Sequence, residues 1–194
     1  MQLMNEVDLS IIAGEPIRPM RRSEYEMLVA QGCFDDERVE LLFGMVVKMS
    51  PIDPAHSESV DRVADLLRAA LGGRARVKLQ SPFAADEWSE PEPDVFVIPV
   101  GEYWTAHPDQ AFLVVEVARS SLRRDHGPKA LLYATSNVDE YWIVDHVHGV
   151  VEVFRDPHDA EWRTRTTHTR DDTISPQRFP DVTIAVADVL PPIA

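Results

Sequence analysis

"AFLVVEVARSS", Ala111 to Ser121, decides the fold. An apolar run this dense marks a strand covered on both faces, as at the centre of a sheet with helices on either side. Glu116 breaks the run, with Val115 and Val117 as its neighbours. Removing one partner of a buried charge pair costs about 3 to 5 kcal/mol, so this carboxylate needs a cation, a metal or hydrogen-bond donors facing it. A simple salt bridge would meet that need, and so would a metal.

Outward from this strand, "DVFVIPV" (94–100) is a second nearly continuous apolar run, preceded by the strand-like "ARVKLQSPFAAD" (75–86). Downstream come "EYWIVD" (140–145), a turn through His148 and Gly149, and "VVEVFRD" (150–156). "ERVELLFGMVVKMS" (37–50) carries two short apolar runs around Gly44, the pattern of a tight hairpin or one long bent strand. Three helices are predicted. The first has Ser23 as N-cap, Glu26 closing a capping box and Gly32 as its stop. The main amphipathic helix repeats Val60, Val63, Ala64, Leu67 and Leu71 before Gly72 and Gly73. The third, "DHGPKALLYATSN" (125–137), has Pro128 in its first turn. Strands mixed with a few helices, without strict βαβα alternation, predict an α/β or α+β fold with a mixed sheet flanked by helices.

The 194 residues fall within the usual span of one domain, expected over 21–194 behind an N-terminal arm at 1–20. With 44% hydrophobic and 27% charged residues, the composition is that of a soluble globular protein. The N-terminus lacks the basic and apolar regions of a signal peptide, and no stretch approaches the ~20 apolar residues of a membrane span, so a cytoplasmic location with no membrane partner is expected. Cys33 stands alone and can form no internal disulfide. A net charge of -14 opposes long-range attraction to nucleic acid. Local positive surface could still come from Arg119, Arg123 and Arg124, or from "WRTRTTHTR" (162–170), which also reads as a solvated face.

Five residues carry candidate chemistry. Asp94 follows Pro93 at the mouth of its strand, where it could be a turn residue. If its strand neighbours that of Glu116, the two carboxylates project toward one point and suit a hard divalent cation such as magnesium. Lys129, beside Pro128, is disfavoured at the positive end of a helix unless something offsets it. A carboxylate-metal centre would do so, and the ammonium could orient an attacking water or stabilise a phosphorane-like transition state. The bland alternative is an exposed lysine. Glu40, alone among apolar neighbours, reads by itself as a strand-edge charge. His56, early in the main helix, could be a ligand or a phosphate contact, with capping the preferred reading.

An acid on an early hairpin, "PD" on a strand, an acid on the next strand and a lysine nearby together resemble the PD-(D/E)xK nuclease superfamily. More closely, "RVELLFGMVVKMSP", "AHS", "QSPF", "SEPEPDVFVIP", "FLVVEVARSSLRRDHGPKALLYA", "VDEYWIVD", "VEVFRDP" and "FPDVTIAVADVL" resemble, in order from about Arg21 to the C-terminus, the Uma-two type of restriction-endonuclease domain. The resemblance implies a restriction-endonuclease-like core and a Mg2+ or Mn2+ ion held by Asp94 and Glu116. It further implies a catalytic set of Glu40, Asp94, Glu116 and Lys129, and a homodimer. The superfamily's usual lysine position, two after the second acid, is Ala118 here, and Lys129 matches the version displaced to the next helix. Phe43 and Met45 stand where the family's hairpin is often acidic.

The expected function is a metal-dependent endonuclease that hydrolyses phosphodiester bonds of nucleic acid, DNA first. The rival is a nuclease-fold module with little activity that acts as a dimeric binding or regulatory protein, which the net charge motivates. A small-molecule hydrolase ranks last for lack of a nucleophile motif.

Overall fold

The computed structural model describes residues 14–192. Most of the expected N-terminal arm, residues 1–13, lies outside the described residues; 14–20 form no helix or strand. The first helix, α1 (Arg22–Ala30), is capped two residues upstream of the predicted position. Glu24, rather than Glu26, turns back to accept the Arg21 N–H at 2.9 Å, so Arg21 is the cap and Ser23 lies inside the first turn. Glu26 is drawn instead to the Arg22 guanidinium, 2.6 Å away.

β1 (Val39–Leu42) and β2 (Met45–Lys48) form a tight hairpin, the first of the two expected alternatives. Its two-residue turn, Phe43-Gly44, has φ of 51° and 77°, the turn hand that matches strand twist. A Cβ at Gly44 would run into Pro19, so only glycine lets the entering chain lie against this turn, where the Met20 N–H donates to the Gly44 carbonyl at 2.9 Å.

α2 (Pro54–Leu71) is the amphipathic helix, with its predicted stripe of Val60, Val63, Ala64, Leu67 and Leu71 buried. Its N-cap is Asp53, which accepts the His56 N–H at 3.0 Å; Pro54 fills the first position, and Gly72 ends the helix in the left-handed region. His56 is therefore the residue being capped and not the capping one.

β3 (Arg76–Leu79), β4 (Val95–Ile98), β5 (Leu113–Ala118), β6 (Glu140–Asp145), β7 (Val150–His158) and β8 (Glu161–His168) form one sheet in chain order. β5 and β6 run parallel and every other neighbouring pair antiparallel, which makes the sheet mixed, as expected. A parallel pair needs a crossover. Here it is a continuous helical segment: α3 (Leu122–Arg124), a π-helical turn (Asp125–Lys129) and α4 (Ala130–Thr135). This corrects the prediction that Pro128 and Lys129 open a helix. Helix begins at Leu122, and Pro128, with no N–H to offer the preceding turn, is accommodated where the ladder widens into the π turn. Lys129 accordingly does not face the positive end of a helix.

β9 (Thr173–Ile174) pairs with β10 (Ile184–Ala185), and α5 (Val186–Val189) follows. The sheet's two faces divide the core. Val95, Val97, Val115, Val117 and Val144 pack with α2 and α5, while Phe96, Val114, Ala118, Tyr141 and Ile143 pack with Ala130 and Tyr133 of the crossover. The period of two puts Glu116 on this second face. Among the described residues no helix is long and apolar enough to cross a membrane.

Candidate active site

The register of β4 against β5 sets Val95 opposite Val115 and Phe96 opposite Val114. One step further the same register puts Asp94 opposite Glu116, and directly opposed residues share a face. Asp94 is held there by three donors. Its Oδ2 accepts the Val117 N–H at 2.9 Å, past the last rung of the ladder, while its Oδ1 lies 3.0 Å from His56 Nε2 and accepts from Gln80 Nε2 at 3.3 Å. The deep central position of Glu116, only 4% exposed, is answered from the crossover. Lys129 Nζ donates to its Oε1 at 2.9 Å and the Tyr133 hydroxyl to the same oxygen at 2.7 Å. Oε2 receives no hydrogen bond from the described residues and is not among the sealed, unpartnered oxygens.

Glu40 completes the group from the hairpin. Fully buried, it sits 3.2 Å from Lys129 Nζ through Oε2 and accepts from Arg124 at 3.4 Å through Oε1. Lys129 is thus neither exposed nor at a helix start, but clamped between two acids that are 76 residues apart in sequence. Glu40, Asp94, Glu116 and Lys129 all line one cavity. Asp53, His56, Arg119 and Arg124 line it too, with Arg119 3.1 Å from Asp53. Arg123 does not.

Residues 23–187 match the model of the Uma2 family, whose description reads "Putative restriction endonuclease". The chain belongs to this family. Among solved structures it is similar to a crystal structure titled "a putative nuclease belonging to DUF820" from Anabaena variabilis, at 15% identity and a TM-score of 0.72, with 88% of this chain and 97% of that chain covered. At that identity the likeness establishes the fold. Among curated proteins none matches.

The electrostatics of this Uma2 site follow from burial and pairing. Burial works to raise the Asp94 carboxyl, but the His56 ring and the Val117 amide bring it below its ordinary value. Burial works to lower the His56 imidazole, and Asp94 overrides it to raise the ring. Around Lys129, burial is outweighed by Glu116 and Glu40, so the ammonium is held charged. Glu116 is pushed well above the usual carboxylate range by burial, with Lys129 opposing and the neighbouring acids adding to the rise.

This donor set fits a hard divalent cation. Glu116 Oε2 is unengaged by the described residues, a second carboxylate stands opposite, and neither acid is neutralised by an arginine. Magnesium takes one or two carboxylates and fills its remaining positions with waters and phosphate oxygens. Among the described residues no group of three His, Cys, Asp or Glu side chains gathers at ligand spacing, so an ion here would take Asp94 and Glu116 and fill its other positions with water and substrate oxygens.

Glu40, Asp94, Glu116 and Lys129 were named from sequence and are brought together here; His56 was named too, with capping preferred, while Tyr133 and Asp125 were not. His56 contacts Asp94 with its ring. Tyr133 and Asp125 flank Lys129 at i+4 and i−4, a spacing on one helical face that was readable in "DHGPKALLY".

Proposed function

We propose that this Uma2-family chain is a divalent-cation-dependent nuclease that hydrolyses phosphodiester bonds of nucleic acid, with DNA the first substrate to test. The observation that carries this reading is the opposition of Asp94 and Glu116 across β4 and β5, with Lys129 against one oxygen of Glu116 and the other oxygen unengaged. Asp94 and Glu116 are the residues that would hold Mg2+ or Mn2+. When bound, such an ion supplies polarisation of a phosphoryl oxygen and a more acidic water.

The chain's own groups do the rest. Tyr133 fixes the Glu116 carboxylate, and His56 with the Val117 N–H fixes Asp94. Glu40 holds the Lys129 side chain in the cavity, where its ammonium offsets negative charge developing on the phosphoryl oxygens. Arg119 and Arg124 line the same cavity and offer contacts for flanking phosphates. A second copy of the chain, implied by the family resemblance, belongs to this reading, and sedimentation measures it.

The test is incubation of the purified protein with single- and double-stranded DNA and RNA in Mg2+ or Mn2+, beside Asp94→Ala and Glu116→Ala. Cleavage by the wild type that both variants lose supports the reading; cleavage that survives both substitutions rejects it. The -14 net charge favours a second reading, a cation-free binding module. Calorimetric titration showing no Mn2+ binding to the intact chain would select it.

A further inference from the structure

Asp125 is 1% exposed, and its Oδ2 is sealed from solvent without a hydrogen-bond partner among the described residues. Buried carboxylate oxygens are rarely left so, because each forfeits hydration with nothing in return. Asp125 also lines the cavity that Glu116 and Lys129 line. It precedes Lys129 by four residues in the helical segment, and an acid four places ahead of a lysine is the order in which such side chains meet best. Yet the Lys129 ammonium engages Glu116 at 2.9 Å and Glu40 at 3.2 Å and forms no ion pair with Asp125. The two remain in electrostatic reach. Burial raises the Asp125 carboxyl to about 6, and Lys129 is the largest influence opposing that rise.

Lys129 therefore has in Asp125 an acid within electrostatic reach that it does not pair with. A divalent cation against Asp94 and Glu116 would put two positive charges beside the place where the ammonium rests, and Glu116 would become its least favourable partner. We propose that Asp125 is the second seat of Lys129: on cation binding, the ammonium leaves Glu116 Oε1 and pairs with Asp125 Oδ2 while Glu40 retains it. Asp125 is then a positioning residue that acts through Lys129, and it makes cation loading easier by giving the displaced ammonium somewhere to go. The π turn has a part in this, since it spans Asp125 to Lys129 and carries the acid and the lysine at its two ends, with Pro128 between them. The inference rests on the cation-binding reading of the site above.

The experiment is a double-mutant cycle in Mn2+ affinity, measured by calorimetry on wild type, Asp125→Asn, Lys129→Met and the double variant, with thermal unfolding as the check on folding. Asp125→Asn alone is expected to weaken Mn2+ binding about 10- to 100-fold, the scale on which outer partners of a metal site act. In the Lys129→Met background the same change should cost less than about 3-fold, since the residue through which it acts is gone. Equal losses in both backgrounds would make Asp125 a direct ligand or a general charge effect, and an unchanged affinity in Asp125→Asn would leave it no role; either overturns the proposal. Wild type that binds no Mn2+ rejects the cation reading and this inference with it, whereas binding in wild type without coupling rejects this inference alone. If Lys129→Met does not fold, the Lys129 ammonium nitrogen resonance serves instead. A Mg2+-induced shift in wild type that vanishes in Asp125→Asn is expected, and the same shift in both proteins overturns the proposal.

Discussion

Lys129→Met in the cation-free protein is the sharpest perturbation of this site. Lys129 is 4% exposed and serves Glu116 at 2.9 Å and Glu40 at 3.2 Å, so its removal leaves Glu116 buried without a cation and Glu40 with only the longer contact to Arg124. Breaking a buried pair from one side costs about 3 to 5 kcal/mol. Burial already raises Glu116 well above the usual range, so at acid pH this carboxyl takes a proton and limits the loss to about the lower end of that range. The penalty should grow as pH rises, because ionising the orphaned carboxylate becomes the only alternative to unfolding. For a domain of this size each 1 kcal/mol moves Tm by about 2 to 4 °C, giving a fall of roughly 10 °C. Mn2+ separates this account from a generic core defect. At 100 times its Kd any native-state ligand adds about 2.7 kcal/mol, and here the variant should bind more tightly than wild type because no ammonium competes for Glu116. Urea unfolding at pH 6 and pH 8, with and without Mn2+, reads all of this. A loss below about 1 kcal/mol, or a Mn2+ gain no larger than that of wild type, would refute the reasoning.

Other expectations follow from the same geometry. The Asp125 carboxyl rises from 3.8 to about 6 on folding, and at about 1.4 kcal/mol per unit this is roughly 3 kcal/mol. Because the folded value is the higher one, that stability is present below about pH 4 and is lost as pH rises through about 6; Asp125→Asn should flatten the difference in urea unfolding of the cation-free protein. Arg119→Ala, at a 63% exposed side chain on the cavity, should leave Tm within a degree or two yet reduce the salt slope of DNA binding by about 1 in a filter-binding assay. Gly44→Ala meets both a positive φ of 77° and the body of Pro19, and should cost more than about 1 kcal/mol by thermal unfolding while loosening the hairpin that carries Glu40.

Much of the fold was legible because local patterns matched tertiary needs. The α2 stripe, the turn at Gly44, the all-apolar run of β4 and the apolar run of β5 around Glu116 appear where their patterns put them. Glu116 was legible as an anomaly, and its pairing with Asp94 needed only the guess that two buried strands are neighbours. What sequence could not rank were competing local partners. Glu24 and Glu26 both stand near the start of α1, and the ion pair with Arg22 decides which of them caps it. Pro128 reads as a helix opener, whereas the helix has already begun six residues earlier and a π turn takes in the proline. The contacts of His56 with Asp94 and of Glu40 with Lys129 span 38 and 89 residues and leave no periodic trace.

Whether one ion bridges two strands is read most directly from a crystal of the protein soaked in Mn2+ and measured at the manganese absorption edge. A single anomalous peak within bonding distance of both Asp94 and Glu116 is the predicted result. A map in which Lys129 still occupies Glu116 and no peak touches either carboxylate would contradict it.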